Sequence, residues 1–430
     1  MDRVRRHRAG LGADKPLLKR LGPGLITGAA DDDPSGIGTH SQVGAQFGYA
    51  LSWTFVLSFP LLYVIQTISA EIGRVTGRGI AANLRRHYPR SLLWGAVSLL
   101  LVANIINLGA DLSAMGAALQ LLVGGNAVIY TFIFGGVCLL LEIFLDYRHY
   151  AAALRWATLS LFAYVGVVFA ADVPWGRALQ SLVIPELQWN FAYATALVAI
   201  LGTTISPYLF FWQAAQEVEE ERRHHQKPLC VAPGKAVREI KRIQFDTLTG
   251  MAFSTLISLA IVFSTAATLN ANGITTVESS AQAAQALEPF AGRFASLLFA
   301  VGIIGTGLLA VPILAGSAAY AVSEMFGRPA SLESKPNKAR LFYGTIIATT
   351  VMGGSLQAFG INPVKALYWA AVVNGVLAAP LMILMMLIVR NRRAMGRLAV
   401  RGRLLLSGWI ATAIMAAASV LFFYLLTAGG

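Results

Sequence analysis

Charge is scarce in this sequence. Asp, Glu, Lys and Arg together make up 13% of its 430 residues, where soluble domains carry about 25%. With 56% hydrophobic residues, that shortage excludes an ordinary soluble domain and indicates a polytopic membrane protein with one transmembrane domain. Cysteine is scarcer still. Cys138 lies in an apolar run and Cys230 in a basic stretch, which gives neither a disulfide framework nor a zinc motif. No cleavable signal peptide is expected, because the basic N-terminus leads into an apolar segment interrupted by acids. The net charge of +13 does not indicate a nucleic-acid partner. The basic residues sit in short connections between apolar runs, where membrane orientation accounts for them.

What the sequence does contain is one costly stretch. Inside the first apolar segment runs Gly28-Ala29-Ala30-Asp31-Asp32-Asp33-Pro34-Ser35-Gly36-Ile37-Gly38-Thr39-His40. A charge at membrane depth costs several kcal/mol unless it faces protein or water. Pro34 removes a backbone donor, and Gly36 and Gly38 weaken helix propensity, so the helix should break here. A break leaves carbonyls and amides without partners, which is tolerated in a membrane only where the backbone lines a cavity or site. Acids and free carbonyls in a buried break describe a cation site. The competing reading, a membrane-edge turn with solvated acids, is disfavoured by the long apolar runs on both sides.

Windows of about 20 apolar residues predict eleven spans: 22–46, 48–72, 92–121, 126–145, 152–172, 189–216, 243–269, 290–325, 338–356, 363–389 and 404–427. A basic tail over 1–20 precedes a single transport domain over 21–430. Basic residues cluster in the tail and in every second connection, among them Arg74, Arg78, Arg85, Arg86, Arg148, Arg222, Lys235, Arg328, Arg390 and Arg393. The other side offers little beyond Arg177, Arg293 and Lys365. The positive-inside rule then puts the N-terminus in the cytoplasm, and an odd span count puts the C-terminus outside. Within the charged connection 217–242, the run Glu217 to His225 reads as a solvated helix end with local ion pairs rather than a metal sensor. Residues 276–289 are Ala- and Gln-rich and suit a short amphipathic helix.

The sixth span repeats the layout of the first. It reads Leu201-Gly202-Thr203-Thr204-Ile205-Ser206-Pro207-Tyr208, an apolar half-helix, small polar residues, a proline and a second half-helix. Proline suits the first position of such a second half-helix. Interrupted spans at matching places in two halves point to an inverted-repeat transporter with its site at the repeat interface. Five spans plus five, with an eleventh appended, fits the count.

Gly22-Pro23-Gly24, Asp33-Pro34-Ser35-Gly36 and Gly44 to Tyr49 resemble the first helix of the Nramp family of divalent-metal transporters. Ser69 to Gly77 is similar to the end of that family's second helix, and Gly109-Ala110-Asp111-Leu112 to part of its third. The resemblance implies an all-α membrane protein with a LeuT-like 5+5 inverted repeat and an eleventh helix. It also implies alternating access and a metal held between broken helices 1 and 6. The site residues it implies are Asp33 and Gly36 from the first helix and Thr203 and Ser206 from the sixth. The family's motif there is Asp-Pro-Gly-Asn, so Gly36 stands where an asparagine ligand would. Thr203 and Ser206 occupy the places of a carbonyl donor and a methionine sulfur. The family's third-helix glutamate falls on Ala114, with the nearby acid kept as Asp111, and its sixth-helix histidine falls on Gln213. These departures resemble the divergent, magnesium-transporting branch of the family.

Their chemistry points the same way. Sulfur favours soft transition metals and oxygen suits magnesium, calcium and manganese. A site with a serine for the sulfur and a glycine for the amide suits an ion that keeps water, as magnesium does. Asp33 is expected to carry the charge, with Asp32 nearby; Asp32 or Asp31 could instead line an inner vestibule or pair with a cytoplasmic arginine. Asn374 in the tenth span is a further candidate contact, or equally one half of a helix–helix hydrogen bond. Asp111, His40 and Gln213 are candidates for a proton or ion pathway, with His40 expected on an outer vestibule wall, and Met115 is expected in the core. The expected function is alternating-access transport of Mg2+, with Mn2+ next, without proton coupling, in a prokaryotic inner membrane. No resident cofactor is expected, and the partners are the ion and the bilayer; the sequence leaves the oligomeric state open, with a monomer compatible. Rival readings are a proton-coupled Mn2+/Fe2+ transporter, an organic-solute symporter of the same fold, a non-transporting metal sensor, and an aspartyl enzyme using Asp33 and Asp111. No companion protease motif supports the last.

Overall fold

The computed structural model describes residues 23–145 and 159–428. The basic tail over 1–20, Arg148 and residues 152–158 of the fifth predicted span lie outside the described residues. Every regular element among the described residues is helical. The first span is two helices, α1 (Pro23–Asp31) and α2 (Pro34–Phe47). Then come α3 (Trp53–Thr76), the short α4 (Ile80–His87), α5 (Arg90–Val123) and α6 (Ala127–Phe144). The described part of the fifth span is α7 (Phe162–Ala170), followed by the amphipathic α8 (Trp175–Val183). The sixth span is again two helices, α9 (Phe191–Thr204) and α10 (Pro207–Arg223). The remaining helices longer than one turn are α11 (Ala236–Thr268), α12 (Ser280–Gln285), α13 (Ala295–Phe326), α14 (Arg340–Ser355), α15 (Pro363–Arg390) and α16 (Gly402–Ala428).

Local chemistry explains many of these ends. Pro34, Pro207 and Pro363 sit in the first turns of their helices, where the missing amide would have had no partner. Asn126, Asn190 and Asn362 cap α6, α9 and α15 through their side-chain oxygens. Gly77 and Gly327 close α3 and α13 in the left-handed conformation, with φ of 64° and 65°. The predicted 276–289 helix is realised as α12.

Eight spans among the described residues are long and apolar enough to cross a membrane by length and composition, fewer than the eleven windows. The reasons are physical. The first window is split by its acids, the fifth is only partly described, and α14 has 16 residues, short of the usual spanning length. The sixth window still qualifies as Phe191–Arg223, with 94% of its apolar window buried, against 22% for α6 and 33% for α16. The broken spans therefore run through the centre, and α6 and α16 form the periphery. Around the breaks pack α3, α5, α11, α13 and α15. Two glycines allow close backbone approaches beside the breaks. A Cβ on Gly28 of α1 would lie 2.4 Å from the Gly250 carbonyl of α11, and one on Gly202 of α9 would lie 2.1 Å from the Ala371 carbonyl of α15.

The arginine-bearing connections gather at one end of the bundle. Arg222 donates to the Ala330 carbonyl at 3.1 Å, and Arg85 lies against Gly327. At the end of α4, His87 is held below its ordinary pKa by burial and by Arg86, Arg78 and Arg393. The 217–242 region differs from the solvated helix end that its composition suggests. Glu217, Glu219, Glu221 and Glu239 are buried. Arg242 pairs with Glu217 at 2.5 Å and with Glu239 at 3.4 Å, and Arg74 pairs with Glu221 at 2.9 Å. Asp246 reaches the first helix, accepting from the Gly24 amide at 2.8 Å. Only the far end behaves as expected, where exposed His224 meets Glu220 at 2.8 Å.

Candidate metal centre

The first break places Asp33 between its half-helices in an extended conformation, as the N-cap of α2. Its carboxylate is saturated. Oδ1 accepts from the Gly36 amide at 2.7 Å and the Ser35 hydroxyl at 2.6 Å. Oδ2 accepts from the Tyr208 hydroxyl at 2.9 Å and the Asn107 amide at 3.1 Å. A charged acceptor at a helix N-terminus is favoured both by the free amides and by the helix dipole. The Tyr208 hydroxyl also lies 3.1 Å from the Ala30 carbonyl, so its one hydrogen is shared between the two halves of the break. Asn107 in turn accepts from the Asn374 amide at 3.2 Å.

The second break lies alongside. The point at which a side chain would begin on Gly36 is 3.3 Å from the Asp31 carbonyl, 3.4 Å from the Thr203 hydroxyl and 3.5 Å from Asp33 Oδ1. Oxygens from both breaks thus converge beside Gly36. The Thr203 hydroxyl is buried without a hydrogen-bond partner among the described residues. Ser206 donates backwards, to the Gly202 and Thr203 carbonyls at 2.8 and 3.0 Å, covering the end of α9 and leaving its lone pairs free to accept.

Of the residues singled out in sequence, Asp33, Gly36 and Thr203 come together, Asn374 reaches Asp33 through Asn107, and Ser206 bonds only within its own break. Asp32 and Asp31 turn the other way. Both approach Ser254 of α11, at 3.1 and 2.5 Å, and Ser258 also faces Asp32. Neither forms an ion pair with an arginine among the described residues. Asp111 is fully buried, faces the Ser35 backbone, and lies close enough to Asp33 to feel its charge. Gln213 accepts from Thr27 of α1. His40 is buried rather than on a vestibule wall, its ring 5.3 Å from that of Phe55. Met115 is a core residue, its sulfur packed where Gly307 has no side chain. Ala114, with Gly38, Ser41, Val277 and Leu367, lines a small pocket beside α2.

Two residues of this centre escaped the sequence reading, Asn107 and Tyr208. Signals existed. Asn107 precedes Asp111 by one helical turn, hence on one face, and Tyr208 follows the proline of the second break.

The sequence profile described as "Natural resistance-associated macrophage protein-like" matches residues 24–425. The chain belongs to the Nramp family. Among curated Nramp relatives, the "Divalent metal cation transporter MntH" of Klebsiella pneumoniae is 25% identical over 412 residues, covering 94% of this chain and 93% of its own. That of Deinococcus radiodurans is 25% identical over 416 residues, covering 93% and 88%. Among solved structures, the Eremococcus coleocola manganese transporter superposes with a TM-score of 0.74 at 17% identity, covering 96% of this chain and 87% of its own. The nucleobase–cation symporter Mhp1, in a closed conformation, gives 0.57 at 16%, covering 94% and 92%. Both likenesses are of fold: an all-α membrane architecture of LeuT type with helices 1 and 6 broken.

Proposed function

We propose that this chain transports divalent metal cations across a membrane by alternating access, with Asp33 as the charged ligand. It favours Mg2+, with Mn2+ next, and does not couple transport to protons. The observation that carries this reading is the convergence of Asp33 Oδ1, the Thr203 hydroxyl and the Asp31 carbonyl beside Gly36. That donor set is oxygen throughout, with Ser206 at hand, and oxygen suits hard cations. One carboxylate with neutral oxygens matches an ion that uses one or two carboxylates and dehydrates reluctantly. The names of the curated relatives support divalent-cation transport, and the Eremococcus protein, a manganese transporter, supports Mn2+ as the second ion.

Transport rather than catalysis or sensing is favoured by the breaks themselves. Irregular backbone at membrane depth, at matching places in two halves, is the arrangement that alternating access uses. The absence of basic residues at the breaks disfavours an anionic solute. The proposed orientation has the N-terminus in the cytoplasm, supported by the gathering of arginine-bearing connections at one end. The proposed membrane is the prokaryotic inner membrane.

The test is uptake into proteoliposomes across a panel of divalent cations. Mg2+ uptake that competes with Mn2+ and disappears in Asp33→Asn is the expected result. Binding without flux would make the chain a sensor, and flux of an organic solute alone would make it a symporter. For orientation, single cysteines replacing Arg5 and Gly429, in a background lacking Cys138 and Cys230, should label from opposite sides.

A further inference from the structure

The charge on Asp33 dictates the orientation of two carboxamides. A carboxylate only accepts hydrogen bonds, so Asn107 must turn its NH2 towards Asp33 Oδ2, 3.1 Å away. Its carbonyl then points away and is met by the NH2 of Asn374 at 3.2 Å. Asn107 lies on α5 and Asn374 on α15, helices packed against each other, and both side chains are buried, at 0% and 1% exposure. They form a directed chain of hydrogen bonds, Asn374 to Asn107 to Asp33.

A cation on Asp33 reverses that demand. The partly positive NH2 of Asn107 would face the incoming charge, and its carbonyl would be the favoured end. The terminal torsion of asparagine is broad and roughly two-fold, so the amide can turn over with no movement of α5. We propose that Asn107 is a cation-binding residue whose carboxamide turns over when the ion arrives, presenting Oδ1 to the ion or its water. Asn374 is the positioning residue that turns with it. The hydrogen-bond balance closes. Before binding, Asn374 donates to Asn107 and Asn107 to Asp33; afterwards Asn107 donates to Asn374 and its carbonyl faces the ion. An amide carbonyl is a hard oxygen donor of the kind that magnesium and calcium accept. It approaches from the Oδ2 side of the carboxylate, whereas Gly36 lies against Oδ1. The third and tenth spans thereby sense whether the ion is present. This inference rests on the reading of Asp33 as the cation site.

Its test has a sign. If Asn107 merely satisfies Asp33 in the ion-free protein, removing it destabilises only that state and tightens cation binding. If Asn107 turns to face the ion, removing it weakens binding. The experiment is calorimetric titration of the purified full-length protein with Mg2+ and with Mn2+. Asn107→Leu, close in volume but without polar atoms, should weaken both by about tenfold or more. Asn374→Leu should weaken them less, by about threefold, and the double variant should match Asn107→Leu alone, because Asn374 acts through Asn107. Should Asn107→Leu fail to give a monodisperse protein, Asn107→Ser carries the same expectation, since its short hydroxyl cannot replace the amide. Unchanged or tighter binding in the folded Asn107 variant overturns the inference. Asp33→Asn separates the two levels. Wild-type affinity in that variant defeats the reading of the site, whereas loss there with no loss at Asn107 defeats this inference alone.

Discussion

The two breaks share a sequence layout and do opposite electrostatic work. In the first, Asp33 faces forward: its carboxylate caps α2 and takes hydrogens from Ser35, Gly36, Tyr208 and Asn107. In the second, Ser206 is also the residue before a proline that opens a helix, yet it caps nothing ahead of it. It reaches back to the carbonyls that end α9. One break therefore contributes charge and the other neutral oxygen. The lesson is that a polar residue before proline marks where a span opens, while its protonation chemistry decides which half-helix it serves. A carboxylate seeks the amides of a helix start, and a hydroxyl can donate to the carbonyls of a helix end.

The largest effect should come from removing the charge. Asp33→Asn should fold and lose cation affinity by about a hundredfold or more, as expected for taking one partner from a buried charge pair. Calorimetry showing wild-type affinity would dissolve the distinction between the two breaks. Next in size is a steric contrast. A side chain at Gly202, where the backbones of α9 and α15 nearly touch, should cost about 2–3 kcal/mol through overpacking. At Gly36 the nearest atoms would be 3.3–3.5 Å from a Cβ, so Gly36→Ala should be tolerated. Thermal unfolding of Gly202→Val beside Gly36→Ala checks this, and equal losses would contradict it.

Selectivity should then respond to ligand hardness. Ser206→Met should raise cadmium preference over magnesium by about tenfold. Adding Gly36→Asn should shift it further and more than additively, because the two residues would touch one ion. Competition in proteoliposomes for the parent, both single variants and the double decides it; one preference in all four would remove both helices from selectivity. Smaller still, Ser206→Ala should cost about 1 kcal/mol of stability, the worth of a hydrogen bond to the end of α9, and weaken divalent binding by the loss of one neutral oxygen. The smallest expected signal is none. With Ala114 and Gln213 unable to titrate near neutral pH, a pH dye inside liposomes should stay silent during metal entry. Metal-dependent acidification abolished by Asp111→Asn or by His40→Gln would overturn this.

Much of the architecture was legible in the sequence, because membrane burial writes itself as hydropathy and a helix break as proline, glycine and misplaced charge. The window 363–389 became Pro363–Arg390 and 92–121 became Arg90–Val123, and both breaks fell where Asp33-Pro34 and Ser206-Pro207 put them. That the two breaks meet was readable from the repeat of that pattern. The fates of adjacent acids were not. Asp32 and Asp33 are neighbours in sequence, yet successive residues project in different directions, and only the position of α11 with Ser254 decides that Asp31 and Asp32 turn from the site. Asn107 and Asn374 lie 267 positions apart, and no local pattern couples them. The tertiary structure alone brings α5 and α15 against the first break and gives Asp33 its last donors.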